Sequence, residues 1–348
     1  MDVSDLDLFA DPGTAAVIAE QHSVLHEQAP LVVRLASAPD VDPSVAAALR
    51  ALPTVTVLLA DPETTPPWLA DAFDVCLAAG HPDPPPPFVD APVEPLRAAV
   101  AAHPEAALAL VALLRDPRPT AVAGLAAESA VYALLLGSAD FHRWLAERGP
   151  RSPRPAAEPV LVRDDGGVRT ITLNRPEVRN AVDRPMRDAL VAALQGATMD
   201  RSIRRVELRG AGSAFSAGGD LAEFGTVVDP ATAHAVRLTI HPGAWVDRVA
   251  DRTVALLHGP CIGAGIEVPA FARRVVAAID ATFALPELRY GLIPGAGGTV
   301  SVPRRIGRAR TAWLALTGSV LDAATAGRWG LVDEVVDELP ADPGPSTR

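Results

Sequence analysis

Residues 252–271, RTVALLHGPCIGAGIEVPAF, combine an apolar strand, a glycine-rich turn and the start of a helix. The apolar run that ends at His258 is typical of a buried strand, and Gly263, Ala264 and Gly265 leave the next backbone amides uncovered by side chains. Strands that run into glycine turns before helices are typical of a mostly parallel sheet, whose ligand lies at the loop ends. This stretch therefore predicts an α/β fold with a site at the turn.

The rest of the C-terminal half repeats the alternation of strands and helices. Residues 160–174, VLVRDDGGVRTITLN, predict a β-hairpin that turns at Gly166 and Gly167. Residues 184–197 predict an amphipathic helix, and residues 204–212, RRVELRGAG, predict another strand that ends in a glycine turn. A sheet built from these strands brings its loop ends together at one edge.

The N-terminal half predicts a small α/β unit, although residues 1–28 lack strong periodicity and are expected to form a loosely attached helix or a tail. Proline-rich residues 81–95 predict a first linker, because each proline removes a donor and fixes φ. The predicted strands and helix of the small unit are, in order, strand 31–36, helix 42–52, strand 54–60 and strand 73–79.

Helical spacing of apolar residues follows in residues 95–115 and 122–149, which predict two or three packed helices. A second linker is expected at residues 149–159. The predicted organisation is a tail and small α/β unit (1–92), a helical segment (93–150), a catalytic core (151–338) and a tail (339–348).

Charge and cysteine content narrow the function class. The formal net charge is -11, which disfavours nucleic acid or an anionic membrane as a partner. Cys76 and Cys261 are the two cysteines, and their spacing supports neither a disulfide framework nor a zinc site. The acidic N-terminus lacks the pattern of a secretory signal, so a cytoplasmic location is expected.

Two backbone amides are candidates for binding a charged oxygen. In FSAGGDLAEF, residues 215–224, small residues precede a helix that is expected to start near Asp220. Unpaired N–H groups at helix starts suit a thioester oxygen that gains charge as an enolate forms. We assign these donors to Gly219 and Ala264.

Two glutamates are candidates for the acid and base. Glu267 lies three residues after Ala264, within the otherwise apolar segment IEVPAF, and Glu287 lies in FALPELRYGLIPGAGG between a proline and a glycine-rich loop. Glutamates among apolar neighbours have raised pKa values as a class, which suits groups that exchange protons near neutral pH. Ordinary buried carboxylates paired with arginines are the alternative.

These stretches resemble the enoyl-CoA hydratase/isomerase (crotonase) family over about residues 160–336. The resemblance includes ITLNRPEVRNAVD, FSAGGDL, GPCIGAGIE and PELRYGLIPGAGGTVSVPRRIG in family order. It implies a crotonase-type spiral of ββα units in the C-terminal half. It also implies a homo-oligomer, either a trimer or a hexamer, with roles in fatty acid metabolism.

The resemblance implies a role for each candidate residue. Gly219 and Ala264 would supply the oxyanion hole, Glu267 would activate water and Glu287 would deliver the proton to the α-carbon. No metal or other cofactor is implied, and coenzyme A enters as part of the substrate. The residues that would line the coenzyme A, acyl and pantetheine channel are Val178, Arg179, Ala181, Ala217 and Leu221.

Some residues depart from the family pattern. Alanine stands at position 264, where the family usually has glycine, so the methyl group is expected to narrow the pocket. Arg273 and Arg274 replace the usual aspartate and apolar residue. The family's C-terminal helices are also missing, and the similar helices in residues 93–150 suggest a permuted cap over the face that carries Glu267.

Several motifs have competing interpretations. GAGIEV lacks the third glycine of a dinucleotide fingerprint, so a nucleotide-binding site is disfavoured. His258 is more typical of a strand-end residue with a backbone partner than of a catalyst. Four arginines could hold phosphates or form a solvated face: Arg175, Arg179, Arg184 and Arg187.

The leading functional prediction is an enzyme of the lyase class, an enoyl-CoA hydratase that adds water to an α,β-unsaturated acyl-CoA. One alternative is an acyl-CoA double-bond isomerase or a specialised biosynthetic crotonase that uses the same enolate. The other alternative is a non-catalytic protein that binds acyl-CoA or scaffolds a related enzyme.

Overall fold

The structure of the chain is a computed structural model that describes residues 3–21, 23, 29–35, 42–116, 118–227 and 229–341. Most of the predicted C-terminal tail, from residue 342 onward, lies outside the described residues, as do parts of the predicted N-terminal tail.

The secondary structure follows in chain order. The strands are β1 (Leu31–Arg34), β2 (Thr56–Leu59), β3 (Val75–Leu77), β4 (Phe88–Val89), β5 (Val160–Asp165), β6 (Val168–Leu173), β7 (Arg205–Gly210), β8 (Thr253–Leu257), β9 (Pro260–Ile262), β10 (Arg274–Ala278), β11 (Thr282–Ala284), β12 (Leu321–Asp322) and β13 (Glu334–Val336). The α-helices are α1 (Pro12–Gln21), α2 (Val45–Ala51), α3 (Pro67–Ala70), α4 (Glu94–Ala102), α5 (Pro104–Arg115), α6 (Ala121–Leu136), α7 (Ala139–Arg148), α8 (Arg184–Met199), α9 (Pro230–Thr239), α10 (Pro242–Arg248), α11 (Ala264–Glu267), α12 (Gly298–Ser301), α13 (Pro303–Ile306), α14 (Arg308–Thr317) and α15 (Ala323–Trp329). Short 3-10 helices cover Val3–Ala10, Pro176–Val178, Ala250–Arg252, Pro269–Phe271 and Glu287–Tyr290.

The chain divides into two compact units. Unit 1 contains Met1–Pro150, Gly225–Leu238 and Leu285–Ser319. Unit 2 contains Arg151–Phe224, Thr239–Ala284 and Val320–Arg348. The division predicted from the sequence, at residues 92, 150 and 338, stays a prediction.

Unit 1 contains the predicted small α/β sheet, with parallel strands in the order β1-β2-β3-β4. Its three predicted strands and the predicted helix α2 are present. The expectation of a loosely attached N-terminal segment is wrong for the described part, because Leu6 and Phe9 are buried in the core formed with Val33, Leu49 and Phe73. These two buried side chains make the 3-10 helix Val3–Ala10 part of unit 1.

The proline-rich segment is an ordered edge of this sheet rather than a plain linker. Phe88 and Val89 follow the run of prolines, are both buried and pair in parallel with β3. Proline is tolerated beside an edge strand because the lost donor faces away from the sheet. The burial and pairing of Phe88 and Val89 therefore make this part of the predicted linker a strand of the sheet.

Four helices follow, where the sequence predicted two or three. The break between α4 and α5 falls at Pro104, and the break between α6 and α7 falls at Gly137. Among the described residues, no single helix is long and apolar enough to cross a membrane, although the bent pairs α4 with α5 and α6 with α7 pass by length and composition.

A buried aspartate ties the small sheet to the helices of unit 1. Asp74 is fully buried, lies 2.5 Å from the Arg115 guanidinium and 3.3 Å from that of Arg308. Arg115 also donates to the carbonyl oxygens of Leu52 and Thr54, both at 2.6 Å. A buried charge needs this many partners to offset its desolvation, so the cluster holds α5 and α14 against β3.

Unit 2 contains a six-stranded sheet in the order β13-β10-β8-β7-β6-β5 and a three-stranded sheet in the order β12-β11-β9. The hairpin β5–β6 is antiparallel, turns at Gly166 and Gly167 as predicted, and the other neighbours in the large sheet are parallel. Pairs of strands followed by a helix recur, as in β5-β6-α8 and β8-β9-α11. The predicted α/β fold with ββα units is therefore confirmed, and the loops after β7 and β8 leave the same edge of the sheet.

Candidate active site

The turn predicted after β8 is present and leads into the one-turn helix α11. Gly263 has φ 51°, in the left-handed region that favours glycine, and its N–H donates to Ala284 O at 2.9 Å. The N–H groups of Ile266 and Glu267 donate back to Gly263 O at 2.8 and 2.9 Å. Hydrogen bonds on both sides therefore fix the orientation of the Ala264 amide, the first of the helix.

The loop after β7 closely approaches this turn. Ile262 N–H donates to Ser216 O at 2.9 Å, and Gly218 has φ 88°. A Cβ on Gly218 would lie 2.7 Å from Ile262 O and 3.7 Å from Ala264 N. A side chain at position 218 would therefore collide with backbone, and glycine lets the Gly219 segment lie beside the Ala264 turn.

The prediction of a helix that starts near Asp220 is wrong, because residues 221–225 form only a turn. The Asp220 carboxylate accepts a hydrogen bond from Arg175 Nη2 at 3.0 Å, a partner that is distant in sequence. Gly219 forms a short parallel bridge with Val182 instead of a helix start. Its amide is positioned by strand-like pairing, and a helix dipole does not contribute there.

Both proposed donors are available. In the bridge, Val182 N–H donates to Gly218 O at 2.7 Å and Asp220 N–H donates to Val182 O at 2.9 Å, so the pairing does not use the Gly219 amide. Neither the Gly219 N–H nor the Ala264 N–H donates to any residue that the structure describes. Fixed, unused donors are suited to an oxygen on which negative charge develops.

Glu267 ends α11, three residues after Ala264, and its side chain is 2% exposed. The residues that follow it, Val268–Phe271, are buried as well. The predicted setting, one carboxylate among apolar neighbours at the donor turn, is therefore present in unit 2.

The five residues predicted to line the acyl-CoA channel lie in two segments of unit 2 that are bonded to each other. Val178 ends a 3-10 helix, and Arg179, at φ 52°, accepts through its carbonyl from Ala217 N–H at 2.8 Å. Ala181 and Leu221 lie in the same two segments and are partly exposed. Their assignment to coenzyme A stays a prediction.

The arginines of this region have different roles. Arg175 is fully buried and pairs with Asp183 at 3.2 Å and Asp220 at 3.0 Å, so it holds the loops rather than a phosphate. Arg187 pairs with the neighbouring Asp188 at 2.7 Å. The exposed members of the group are Arg179 and Arg184.

Two further sequence features lie outside the donor turn. Arg273 and Arg274 are exposed at the start of β10, where Arg274 pairs with Val254 near the start of β8, so they lie at the edge opposite the loops. His258 Nε2 lies 2.9 Å from Gly212 O, which confirms the interpretation of a strand-end residue with a backbone partner.

Glu287 lies in unit 1, at the start of a 3-10 helix, and is 9% exposed. Its Oε2 atom is buried and has no hydrogen-bond partner among the residues described. Burial raises the pKa of Glu287 to about 8, and the nearby charge of Glu128 adds to that increase. The carboxyl therefore keeps its proton near neutral pH.

Glu128, on α6, is a buried carboxylate that the sequence analysis did not consider. Its side chain is 1% exposed; Oε1 accepts from Gly297 N–H at 2.8 Å, and Oε2 accepts from Thr299 N–H at 2.9 Å and Thr299 Oγ1 at 2.6 Å. Burial raises the pKa of Glu128 to about 7, while these bonds and the charge of Arg237 act in the opposite direction. The available signal was a single carboxylate inside an apolar helix.

The predicted residues fall in both units. Gly219, Ala264, Glu267 and the channel residues belong to unit 2, whereas Glu287 belongs to unit 1. Helices α4 to α7 belong to unit 1 with Glu287. The prediction that residues 93–150 form a cap over the Glu267 face stays a prediction.

The raised pKa of Glu287 makes a prediction for stability. The unfolded chain ionises this group above its ordinary pKa of 4.5, whereas the folded chain keeps the proton up to about 8. The folded state then binds more protons, so this group's contribution to the free energy of unfolding falls as pH rises through that window. We expect Glu287→Gln to gain stability relative to the wild type between about pH 5 and about pH 9.

Urea unfolding at several pH values measures this difference. The exposed Glu105, in the same unit, provides the matched Glu105→Gln control, whose difference from the wild type should stay flat. A Glu287→Gln difference that is equally flat would contradict the raised pKa.

Known proteins resemble the chain in family profile, in sequence and in structure. The profile of the enoyl-CoA hydratase/isomerase family matches residues 163–341. A "Probable enoyl-CoA hydratase" of Rhizobium meliloti (strain 1021) is 36% identical over 183 residues, 51% of this chain and 69% of that protein. The 1,2-epoxyphenylacetyl-CoA isomerase of Escherichia coli (strain K12) is 37% identical over 186 residues, 51% of this chain and 70% of that protein.

A solved structure of enoyl-CoA hydratase from Thermoplasma volcanium GSS1 has a TM-score of 0.49 and 36% identity, and covers 52% of this chain and 73% of that chain. The profile match, residues 163–341, includes the donor turn and both glutamates that were predicted from the sequence. The chain therefore belongs to the enoyl-CoA hydratase/isomerase family.

Proposed function

We propose that the chain is an enoyl-CoA hydratase that adds water to an α,β-unsaturated acyl-CoA. The observation that carries the proposal is the pair of amides at Gly219 and Ala264, neither of which donates to a described residue. Ala264 lies one turn of α11 before the buried Glu267. The thioester oxygen accepts from both amides and gains charge as the enolate forms. Coenzyme A is part of the substrate, and the proposal needs no further cofactor.

The two glutamates divide the proton transfers. Glu267 takes a proton from water, which attacks the β-carbon, and Glu287 gives its proton to the α-carbon. The raised pKa of Glu287 supports its assignment as the donor, because a donor must carry its proton at working pH. Microscopic reversibility exchanges the two roles in dehydration.

The loss of enoyl absorbance of a short unsaturated acyl-CoA tests the proposal. We expect the wild-type chain to turn it over and Glu287→Gln to lower kcat by ~10²-fold, as loss of a general acid does. Glu105→Gln, on an exposed helix face, should retain the wild-type rate. Absence of turnover across a range of chain lengths, with acyl-CoA binding retained, would instead support a non-catalytic acyl-CoA-binding protein.

Double-bond isomerisation is the second candidate. It uses the same enolate but returns a proton to a different carbon, so a single carboxylate suffices. The family profile that matches residues 163–341 is that of enoyl-CoA hydratases and isomerases, which supports keeping this candidate. The cytoplasmic location and the homo-oligomeric state, trimeric or hexameric, remain predictions. Light scattering tests the oligomeric state.

A further inference from the structure

Three successive turns of α6 lie along the glycine-rich segment that runs from Gly295 to Val300. Gly124 packs on Val300, where a Cβ on the glycine would lie 2.7 Å from the valine side chain. Tyr132 packs on Gly295, where an added Cβ would lie 2.3 Å from the ring. Glu128 lies between them, four residues from each, so all three share one face of the helix.

The carboxylate of Glu128 holds the centre of this contact. It accepts three hydrogen bonds, two from the backbone N–H groups of Gly297 and Thr299 and one from the Thr299 hydroxyl. This segment begins eight residues after Glu287 and is reached through the turn at Gly291. Glu128 therefore fixes the chain that leads away from the proposed proton donor.

A neutral side chain could accept some of the same bonds without the cost of burying a charge. The charge of Glu128 is what distinguishes it, and that charge acts on Glu287, whose pKa is raised first by burial and then by Glu128. Glu128 has three donors to stabilise its ionised form, while Glu287 Oε2 has no partner among the described residues. These environments favour ionisation of Glu128 before that of Glu287.

Helix α9 supplies the cationic side of this arrangement. The Arg237 guanidinium lies 3.9 Å from the centre of the Tyr132 ring, and its charge lowers the pKa of Glu128. On the same helix, His234 Nδ1 lies 2.8 Å from Ser129 Oγ. The charge of Arg237 therefore favours the ionised form of Glu128, which forms no direct ion pair among the described residues.

Three other charged groups, on the 3-10 helix of Glu287 and on helices that contact it, have partners of their own. Asp140, on α7, lies 2.5 Å from His103 Nδ1 and also binds Arg143. Arg289, on the 3-10 helix itself, donates to Gly318 O at 3.1 Å. On α14, Arg310 donates to the carbonyl oxygens of Phe88 and Pro84.

We propose that Glu128 is a positioning residue for Glu287: its carboxylate fixes the glycine-rich segment on α6 through three hydrogen bonds, and its negative charge acts on the Glu287 carboxyl in addition to burial. The catalytic consequence rests on the proposed function, in which Glu287 donates a proton. Glu128 itself transfers no proton and needs no contact with substrate.

Glu128→Gln tests the role of the charge, with Glu105→Gln as the matched control. A proton donor is active below its pKa, so the hydration rate of the wild type should fall as pH rises through about 8. Without the charge of Glu128, the fall in kcat/KM should move to lower pH by ~0.5 unit or more. We also expect kcat to drop by ~10-fold and KM to change little, because the donor is less well placed.

Difference infrared spectroscopy separates this inference from the proposed function. The C=O stretch of the protonated Glu287 carboxyl, identified with Glu287→Gln as the blank, reports its titration without turnover. A lower midpoint in Glu128→Gln supports the inference even when the wild type shows no hydration, a result that would reject only the proposed function. Equal midpoints in the wild type and Glu128→Gln would overturn the inference.

Thr299→Val provides a second variant for the case in which Glu128→Gln does not fold. It removes the hydroxyl that donates to Glu128 Oε2 at 2.6 Å and keeps a branched side chain. Since that bond lowers the pKa of Glu128, its loss makes Glu128 hold its proton more strongly and weakens the negative charge beside Glu287. The Glu287 midpoint should then fall, and an unchanged midpoint would overturn the inference.

Discussion

Ala264→Pro is expected to lower kcat for hydration by ~10²- to 10³-fold, because it deletes one donor to the enolate oxygen. The Ala264 N–H donates to no described residue, so the substitution removes no internal hydrogen bond within that part of the chain. Ala264 is the first residue of α11, the helical position at which proline is best tolerated. The substitution should therefore lower the reaction rate and change the stability of the fold little.

The residue before the new proline also accommodates it. Proline pushes its predecessor out of the α region, and Gly263 has φ 51° and ψ −121°, the mirror image of the extended conformation that proline favours. Glycine adopts both mirror images. An unchanged thermal unfolding midpoint would show that the variant retains the wild-type fold.

Ala264→Gly is the matched control, because it keeps the N–H and removes only the methyl group. We expect its kcat to stay within ~10-fold of the wild type and its preference to move toward bulkier acyl groups, since the pocket is widened by one methyl. A folded Ala264→Pro variant with nearly wild-type kcat would show that this amide does not bind the developing oxyanion.

Local sequence patterns predicted β5 to β8, α8 and the start of α11 in unit 2. The hairpin at Gly166 and Gly167 and the glycine turn before Ala264 each depend on residues close together in the chain, so their patterns carry the structure. The same holds for the placement of Glu267, which follows from its three-residue spacing from Ala264.

The errors occurred where distant residues decide the structure. The pattern around Asp220 favours a helix start, but its carboxylate binds Arg175, 45 residues away, and the segment forms only a turn. Glu128 shows the same limit, because its partners Gly297 and Thr299 lie 169 and 171 residues further along the chain. Periodicity contains no information about such pairings.

The buried edge strand at Phe88 and Val89 is a third case. Its two residues are too few for a strand pattern, and the preceding prolines favour a linker. Pairing with β3 makes it a strand, and Arg310 reinforces it by donating to Phe88 O at 3.2 Å. Tertiary contacts thus override the local preference of the prolines for a linker.

Glu267→Gln is expected to separate hydration from isomerisation. Glutamine has nearly the same shape, so the 2%-exposed site keeps its packing, but the amide cannot take a proton from water. Hydration of a short 2-enoyl-CoA should therefore fall by ~10³-fold, the loss expected when a general base is removed. Conversion of a 3-enoyl-CoA to the 2-enoyl isomer requires no attacking water and can proceed through Glu287.

The ratio of the two rates, measured on the same preparation, distinguishes the possible roles of Glu267. If Glu267 is the water-activating base, the isomerisation rate of Glu267→Gln stays within ~10-fold of the wild type while hydration collapses. Equal losses in both reactions, in a variant whose unfolding midpoint is unchanged, would instead mean that Glu267 acts on the α-carbon or the enolate common to both. Unchanged hydration would remove Glu267 from the mechanism and leave Glu287 as the only carboxylate of the proposed reaction.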